Sequence, residues 1–321
     1  MAPTARTINY DALLASTMDK FRDKFTDNIT LGNPFIAWLQ MQGRADTLDG
    51  GANILEPVMY QKNSTIRSYS GYDPLDTAAQ DGMTVAIYPW RHIAGTISIN
   101  GEEEAKNSGD AAVIKLLSAK IDQANLSMKE EMNRQAFLDG TGNGGKDMFG
   151  LNLLVEDGTA WLSSVAGIDR TVETWWRNQW IATVGSFATN GLDKMRSLYN
   201  SCSKGNEHPD LVLSTQAIFE YYEKVLAANE RFLDTSVGDA GFQNLLFKAA
   251  VFMYDAYSSS GDLFMLNSHF LKLTTHSRFN MATGKFIEPV NQDSRVAKII
   301  WRGNLTMSCA PRQGRMGGIT A

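Results

Sequence analysis

The segment with the most evident chemistry is Gly140-Thr-Gly-Asn-Gly-Gly-Lys146-Asp147. Its glycines fit GxGxxG, and Lys146 stands where a phosphate-binding loop carries its lysine. Such a turn lets backbone N–H groups close on a phosphate while the lysine reaches the outer oxygens. Both nucleotide readings need a strand before the glycines and a helix after them, so that the phosphate meets a helix N-terminus. Here a long helical pattern precedes the glycines, and Gly150 to Val155 reads as a strand. Asp147 occupies the Ser/Thr position and adds negative charge where a phosphate would sit. The context favours a helix C-cap with a flexible turn. A nucleotide-binding enzyme using Lys146 stays as the alternative.

Other chemistry-bearing residues form no constellation. The histidines His92, His208, His269 and His276 show no HExxH spacing, and no serine lies in GxSxG. Cys202 and Cys309 have no CxxC spacing and read as reduced thiols made in a cytoplasm. Glu102, Glu103 and Glu104 are consecutive, so they point in different directions and read as a solvated connector. Trp175, Trp176 and Trp180, with Arg177, read as core or interface anchors before they read as a ligand cage. No catalytic, cofactor-binding or metal-ligating residue is assigned.

Composition narrows the class. The chain has 321 residues, 43% hydrophobic and 20% charged, with net charge −5. It is too apolar for a disordered chain, and it lacks the basic excess of a dedicated nucleic-acid binder. The longest apolar run, Ala249 to Tyr254, falls far short of a membrane span, and the start lacks a signal-peptide layout.

The elements that must position these residues follow from periodicity. Leu13, Leu14, Met18, Phe21 and Phe25 trace a helix face over 9–26, and Phe35 to Met41 is a second short apolar stretch. Pro57 to Tyr69 and Met83 to Ile99 read as two extended strands joined by the polar stretch 70–82. A 13-residue strand reaches about 43 Å, so this hairpin projects and needs another subunit to lie on. Asp110, as N-cap, opens a helix running to Asp139, with Ile114, Leu117, Ile121, Ala124, Met128 and Met132 on one face. Leu192 to Cys202 is a further helix. Asp210 to Leu213 is a short strand, and Ser214 caps a helix carrying Ile218, Phe219 and Tyr222. Strands follow, closing with Leu305, Met307 and Cys309 alternating with Asn304, Thr306 and Ser308 as a sheet with one dry face. The class is α+β.

Several stretches carry a family resemblance. They are Ile97-Ser-Ile-Asn-Gly-Glu-Glu-Glu-Ala-Lys-Asn-Ser-Gly109, Phe137-Leu-Asp-Gly-Thr-Gly-Asn143 followed by Gly150-Leu151, Gly167-Ile-Asp-Arg170 with Trp176-Arg-Asn-Gln179, and Ile300-Trp-Arg-Gly-Asn-Leu-Thr-Met-Ser-Cys309 before Arg312-Gln-Gly-Arg315. In this order they resemble the major capsid protein of tailed double-stranded DNA bacteriophages, with the Hong Kong 97-like fold. The resemblance implies an N-terminal arm over 1–49, an extended loop over 50–100, and a peripheral domain with its spine helix over 101–149. An axial domain over 150–290 and a return to the peripheral sheet over 291–321 complete it.

It also implies a structural protein that is not an enzyme. Hexamers and pentamers would form a virion shell in the host bacterial cytoplasm, enclosing DNA without sequence-specific binding and without a membrane or cofactor. A separate scaffolding protein, a portal and a decoration protein are the further partners. Lys62, Arg67, Trp90 and Arg91 are the candidate inter-subunit contacts. An encapsulin-like shell around protein cargo, built on the same fold, is the closer alternative.

Overall fold

The computed structural model describes residues 33–106, 110–159, 161, 164–226 and 245–321. The helix expected over 9–26 lies outside these residues. In chain order, helix α1 is Pro34–Met41, and four strands follow: β1 Ala45–Leu48, β2 Ile54–Met59, β3 Met83–Tyr88 and β4 Arg91–Asn100. Three helices come next, α2 Gly101–Lys106, α3 Asp110–Ala136 and α4 Leu151–Leu154. Strand β5 is Gln179–Ile181, α5 is Leu192–Cys202, β6 is Leu211–Ser214 and α6 is Gln216–Val225. The later strands are β7 Leu245–Phe247, β8 Ala250–Tyr254, β9 Leu263–Leu266, β10 Leu271–His276, β11 Ala282–Thr283, β12 Ser294–Met307 and β13 Gly314–Met316, before the two-residue Ile319–Thr320.

The described residues divide into two compact units. One comprises 94–128 and 283–299, the other 33–93, 129–282 and 300–321. In the first, Ile97 and Ile99 of β4 are buried while Thr96, Ser98 and Asn100 are exposed, the alternation expected of a half-buried strand. Glu102 to Glu104 belong to helix α2 and not to an irregular connector. Glu103 accepts a hydrogen bond from Lys120 of α3 at 2.6 Å, which holds its carboxyl below the ordinary value. Asp110, the expected cap, is the first residue of α3.

In the second unit a six-stranded sheet runs β7-β8-β6-β9-β13-β5. Its central strands are buried on both faces, so they read as near-continuous apolar runs. Met195, Leu198 and Cys202 on α5, and Ile218, Phe219 and Tyr222 on α6, form the helix stripes that complete its core. Ser214 ends β6 instead of capping α6: Thr215 holds the cap position, and the Ser214 hydroxyl donates to the Thr215 carbonyl.

The expected strand over 150–155 is the one-turn helix α4. The Gly150 carbonyl accepts from the N–H groups of Leu153 at 3.1 Å and Leu154 at 3.0 Å, which starts a turn, while Leu151 and Leu154 are buried three residues apart. Gly150 is fixed by close approach, since a Cβ there would lie 2.3 Å from the Leu138 carbonyl oxygen.

Also in this unit, β1 pairs parallel with β10, and β10 pairs antiparallel with the C-terminal part of β12. The expected single dry face of the closing strand is corrected here. Asn304 and Thr306 are as buried as Leu305 and Met307, because other parts of the chain cover both faces.

Candidate interaction surface

β2 and β3 form a two-stranded ribbon with six paired positions, from Ile54 opposite Tyr88 to Met59 opposite Met83. The expected pair of long strands is therefore shorter. The first strand ends at Met59, and Pro89-Trp90 breaks the second stretch into β3 and β4. Six residues span about 20 Å. Beyond the ladder, residues 60–82 have no strand partner and are nearly all exposed. Gln61, Lys62, Asn63, Ser64 and Thr65 offer no apolar alternation to extend it.

The two faces of the ribbon differ. Ile54, Val58, Ala86 and Tyr88 are buried on one face. On the other, three cross-strand pairs are wholly apolar: Leu55 with Ile87, Pro57 with Val85 and Met59 with Met83. All six of these side chains are exposed, Met59 at 74% and Met83 at 72%. Nine of the fifteen large apolar side chains exposed among the described residues lie within 55–87. Scattered exposed apolar residues are ordinary, but an ordered apolar stripe marks a surface that something covers.

The root of the ribbon is fixed by polar contacts. Tyr88 donates its hydroxyl to the Met307 carbonyl at 2.7 Å and accepts from the Met307 N–H at 3.1 Å, and burial pushes this phenol well above its ordinary value. Asn304 donates to the Pro89 carbonyl at 2.9 Å and accepts from the Phe149 N–H at 2.9 Å. Thr306 donates to Glu56 at 3.1 Å. These contacts explain why Asn304 and Thr306 are buried: the root lies over their face of the sheet. Sequence reasoning missed them because a buried polar residue leaves no periodic signal. The apolar stripe did leave one, in the parity of Leu55, Pro57 and Met59 against Met83, Val85 and Ile87.

The candidate contact residues fall into two groups. Lys62 and Arg67 lie in the exposed segment, where Arg67 donates to the Pro74 carbonyl. Trp90 and Arg91 lie at the junction of β3 and β4. The Trp90 indole donates to the Gly51 carbonyl at 3.0 Å, and its ring lies 5.5 Å from that of His276. Arg91 donates to the Gly145 carbonyl, with its guanidinium 5.1 Å from the Phe149 ring centroid.

The glycine-rich turn ends next to Arg91. Asn143 and Gly144 adopt left-handed φ of 52° and 69°. The preceding element is helix α3, as expected, while the following one is α4 instead of a strand. Asp147 is buried, 3.8 Å from Arg134. Trp176 is fully buried, and Trp175 stacks on Tyr60 with centroids 5.2 Å apart. Cys202 is a buried free thiol that burial pushes up to about 12, and Cys309 is free and partly buried. Among the described residues no group of three His, Cys, Asp or Glu could hold a metal ion, and no helix is long and apolar enough to cross a membrane.

No protein-family model matches the chain, and no curated protein does. Solved structures do. The capsid asymmetric unit of cyanophage A-1(L) is similar over 94% of this chain and 97% of that one, with a TM-score of 0.70 at 13% identity. The capsid of Myoviridae phage XM1 is similar over 95% and 98%, with a TM-score of 0.56 at 10% identity. The SrpI encapsulin of Synechococcus elongatus PCC 7942 is similar over 96% and 95%, with a TM-score of 0.55 at 9% identity. At such identities the likeness is one of fold, and the α+β, Hong Kong 97-like fold expected from the resemblance is the fold found.

Proposed function

We propose that this chain is a major capsid protein of a tailed double-stranded DNA phage, a shell subunit that performs no catalysis. The observation that carries this reading is the fold likeness to phage capsid chains along nearly the whole length of both partners. The exposed apolar stripe of the ribbon supports it, because a subunit that lays this face on a neighbour removes it from water. Closed symmetry repeats each contact many times, so weak interfaces add up to a stable shell. In this reading residues 1–49 are the N-terminal arm, 50–100 the extended loop, 101–149 the spine region, 150–290 the axial domain and 291–321 the return. Hexamers and pentamers enclose the genome, helped by a separate scaffolding protein and a portal, and a decoration protein is a further candidate partner.

An encapsulin-like compartment is the second reading, favoured by the SrpI likeness. The higher TM-score of the cyanophage capsid, 0.70 against 0.55, supports the virion. The test is expression with the neighbouring genes, followed by negative-stain microscopy and nuclease digestion of purified particles. Closed particles that protect double-stranded DNA are the expected result. Particles filled with one protein support the compartment. A soluble monomer that binds ATP, with binding lost in Lys146→Ala, overturns both.

A further inference from the structure

Around the ribbon root lies a cluster of cations in a chain whose net charge is −5. Arg91 bonds the Gly145 carbonyl, one residue before the exposed Lys146. From Trp90 a row of rings leads through His276 to Phe279, with centroid steps of 5.5 Å and 5.2 Å. The Arg302 guanidinium lies 3.9 Å from the Phe279 centroid, and the Arg302 N–H donates to the Phe279 carbonyl at 2.9 Å. Arg278 is the residue before Phe279. His92 lies exposed among them, and after burial the charges of Arg302 and Arg91 are what hold its pKa down.

Among the described residues Arg91, Lys146, Arg278 and Arg302 make no ion pair. The acid whose charge acts on Arg91 is Asp147, which is buried and already faces Arg134 at 3.8 Å. Two guanidiniums held on ring faces, with no carboxylate partner, are pre-positioned for an acidic group from elsewhere.

The chain carries a segment of the complementary sign. From residue 68 to residue 90 it has Asp73, Asp76 and Asp81 and no lysine or arginine. These three aspartates lie in the exposed part of the loop. Asp73 and Asp76 accept the Ser70 and Ala78 N–H groups, which shape the loop but leave both charges in solvent. Arg67 is turned onto the Pro74 carbonyl and offsets part of this charge, so the segment remains acidic.

We infer that the cationic cluster of Arg91, Lys146, Arg278 and Arg302 receives the acidic loop, residues 73–81, of a second copy of this chain. The inference rests on the shell reading and names the surface on which the extended loop ends. Charge complementarity of this kind sets register and orientation more than affinity. The apolar stripe supplies the burial, and the acidic loop selects the place.

The test uses full-length chain co-expressed with its assembly partners, scored as the fraction sedimenting as closed particles. Two double variants, Asp76→Lys with Asp81→Lys and Lys146→Glu with Arg278→Glu, alter exposed side chains, and circular dichroism checks that each subunit folds. Each double variant is expected to lower particle yield about tenfold, since every contact of the shell carries the same charge reversal. Combining all four changes is expected to restore yield to within about twofold. Folded reversals that assemble like the parent overturn the inference, as does a combination no better than its worse half. Normal assembly with loss of retained DNA in Lys146→Glu/Arg278→Glu overturns it too, in favour of a nucleic-acid partner. If the parent itself never forms closed particles, the shell reading fails instead.

Discussion

Arg170 has no exposed surface, yet it carries a charge. Its guanidinium donates to the carbonyls of Leu153 at 3.0 Å, Leu154 and Trp176 at 3.2 Å, with Glu156 at 3.4 Å. Two of these are the orphan carbonyls at the end of α4, so one side chain from residue 170 finishes a helix begun at residue 151. Arg170→Met removes a charged partner from each of the four groups. Unfolding in urea is expected to show a loss of about 3–5 kcal/mol, and a loss under about 1 kcal/mol would falsify this role.

Asp255 shows the opposite balance. Its carboxylate accepts from Asn133 at 2.9 and 3.1 Å and from the Tyr257 N–H at 3.0 Å, all of which favour the charged form. Burial still outweighs them and raises its pKa above the ordinary 3.8. Between the ordinary value and the raised one, the folded state therefore holds a proton that the unfolded state has lost. The contribution of this group is full below 3.8 and falls as pH rises through the raised value. Asp255→Asn has no such slope. Urea midpoints across about pH 4 to 7 should show the parent's advantage over the variant shrinking toward neutrality. An advantage that grows with pH contradicts the assignment.

The ribbon separates folding from association within one element. Its inner face is buried on its own chain, while the outer face stays exposed. Met59→Asp with Val85→Asp should leave the subunit's unfolding midpoint within about 0.5 kcal/mol of the parent, since both side chains are exposed. Particle yield should fall sharply. A large loss of subunit stability would show that the outer face packs within its own chain. Elements with one buried face were the legible ones. The stripes of α5 and α6 and the alternation of β4 follow the expected periods, because burial there is decided by local geometry. Elements set by distant contacts were not. The turn of α4 depends on Gly150 meeting the Leu138 carbonyl and on Arg170 capping from afar, so Gly150 to Val155 read as a strand. Strand β2 stops at Met59, whereas the expected strand ran on to Tyr69 through the polar run 61–65. The candidate contacts divide the same way. Lys62 and Arg67 could be placed on an exposed loop from polarity, but the anchoring of Trp90 and Arg91 at its root depends on Gly51, His276 and Gly145.

At the scale of the molecule, the fold class stayed legible even though identity to the cyanophage capsid chain is only 13%. A fold tolerates wide exchange among apolar residues so long as pattern and volume persist. The net charge of −5 fits the proposed shell role, because a wall with little excess positive charge encloses phosphates without gripping them. A shell built from repeated weak contacts also gives the particle assay a concentration signature, with assembly rising steeply above a threshold. The six-pair register of the ribbon has a consequence for how such a gene can change length. Side chains alternate with a period of two, so deleting one codon between Ile54 and Met59 would turn the stripe inward and Glu56 outward. Between residues 60 and 82 no ladder constrains the count, and each doubling of loop length costs only about 0.6 kcal/mol. Insertions and deletions among descendants of this sequence should therefore accumulate in the loop and be absent from the strands that carry it.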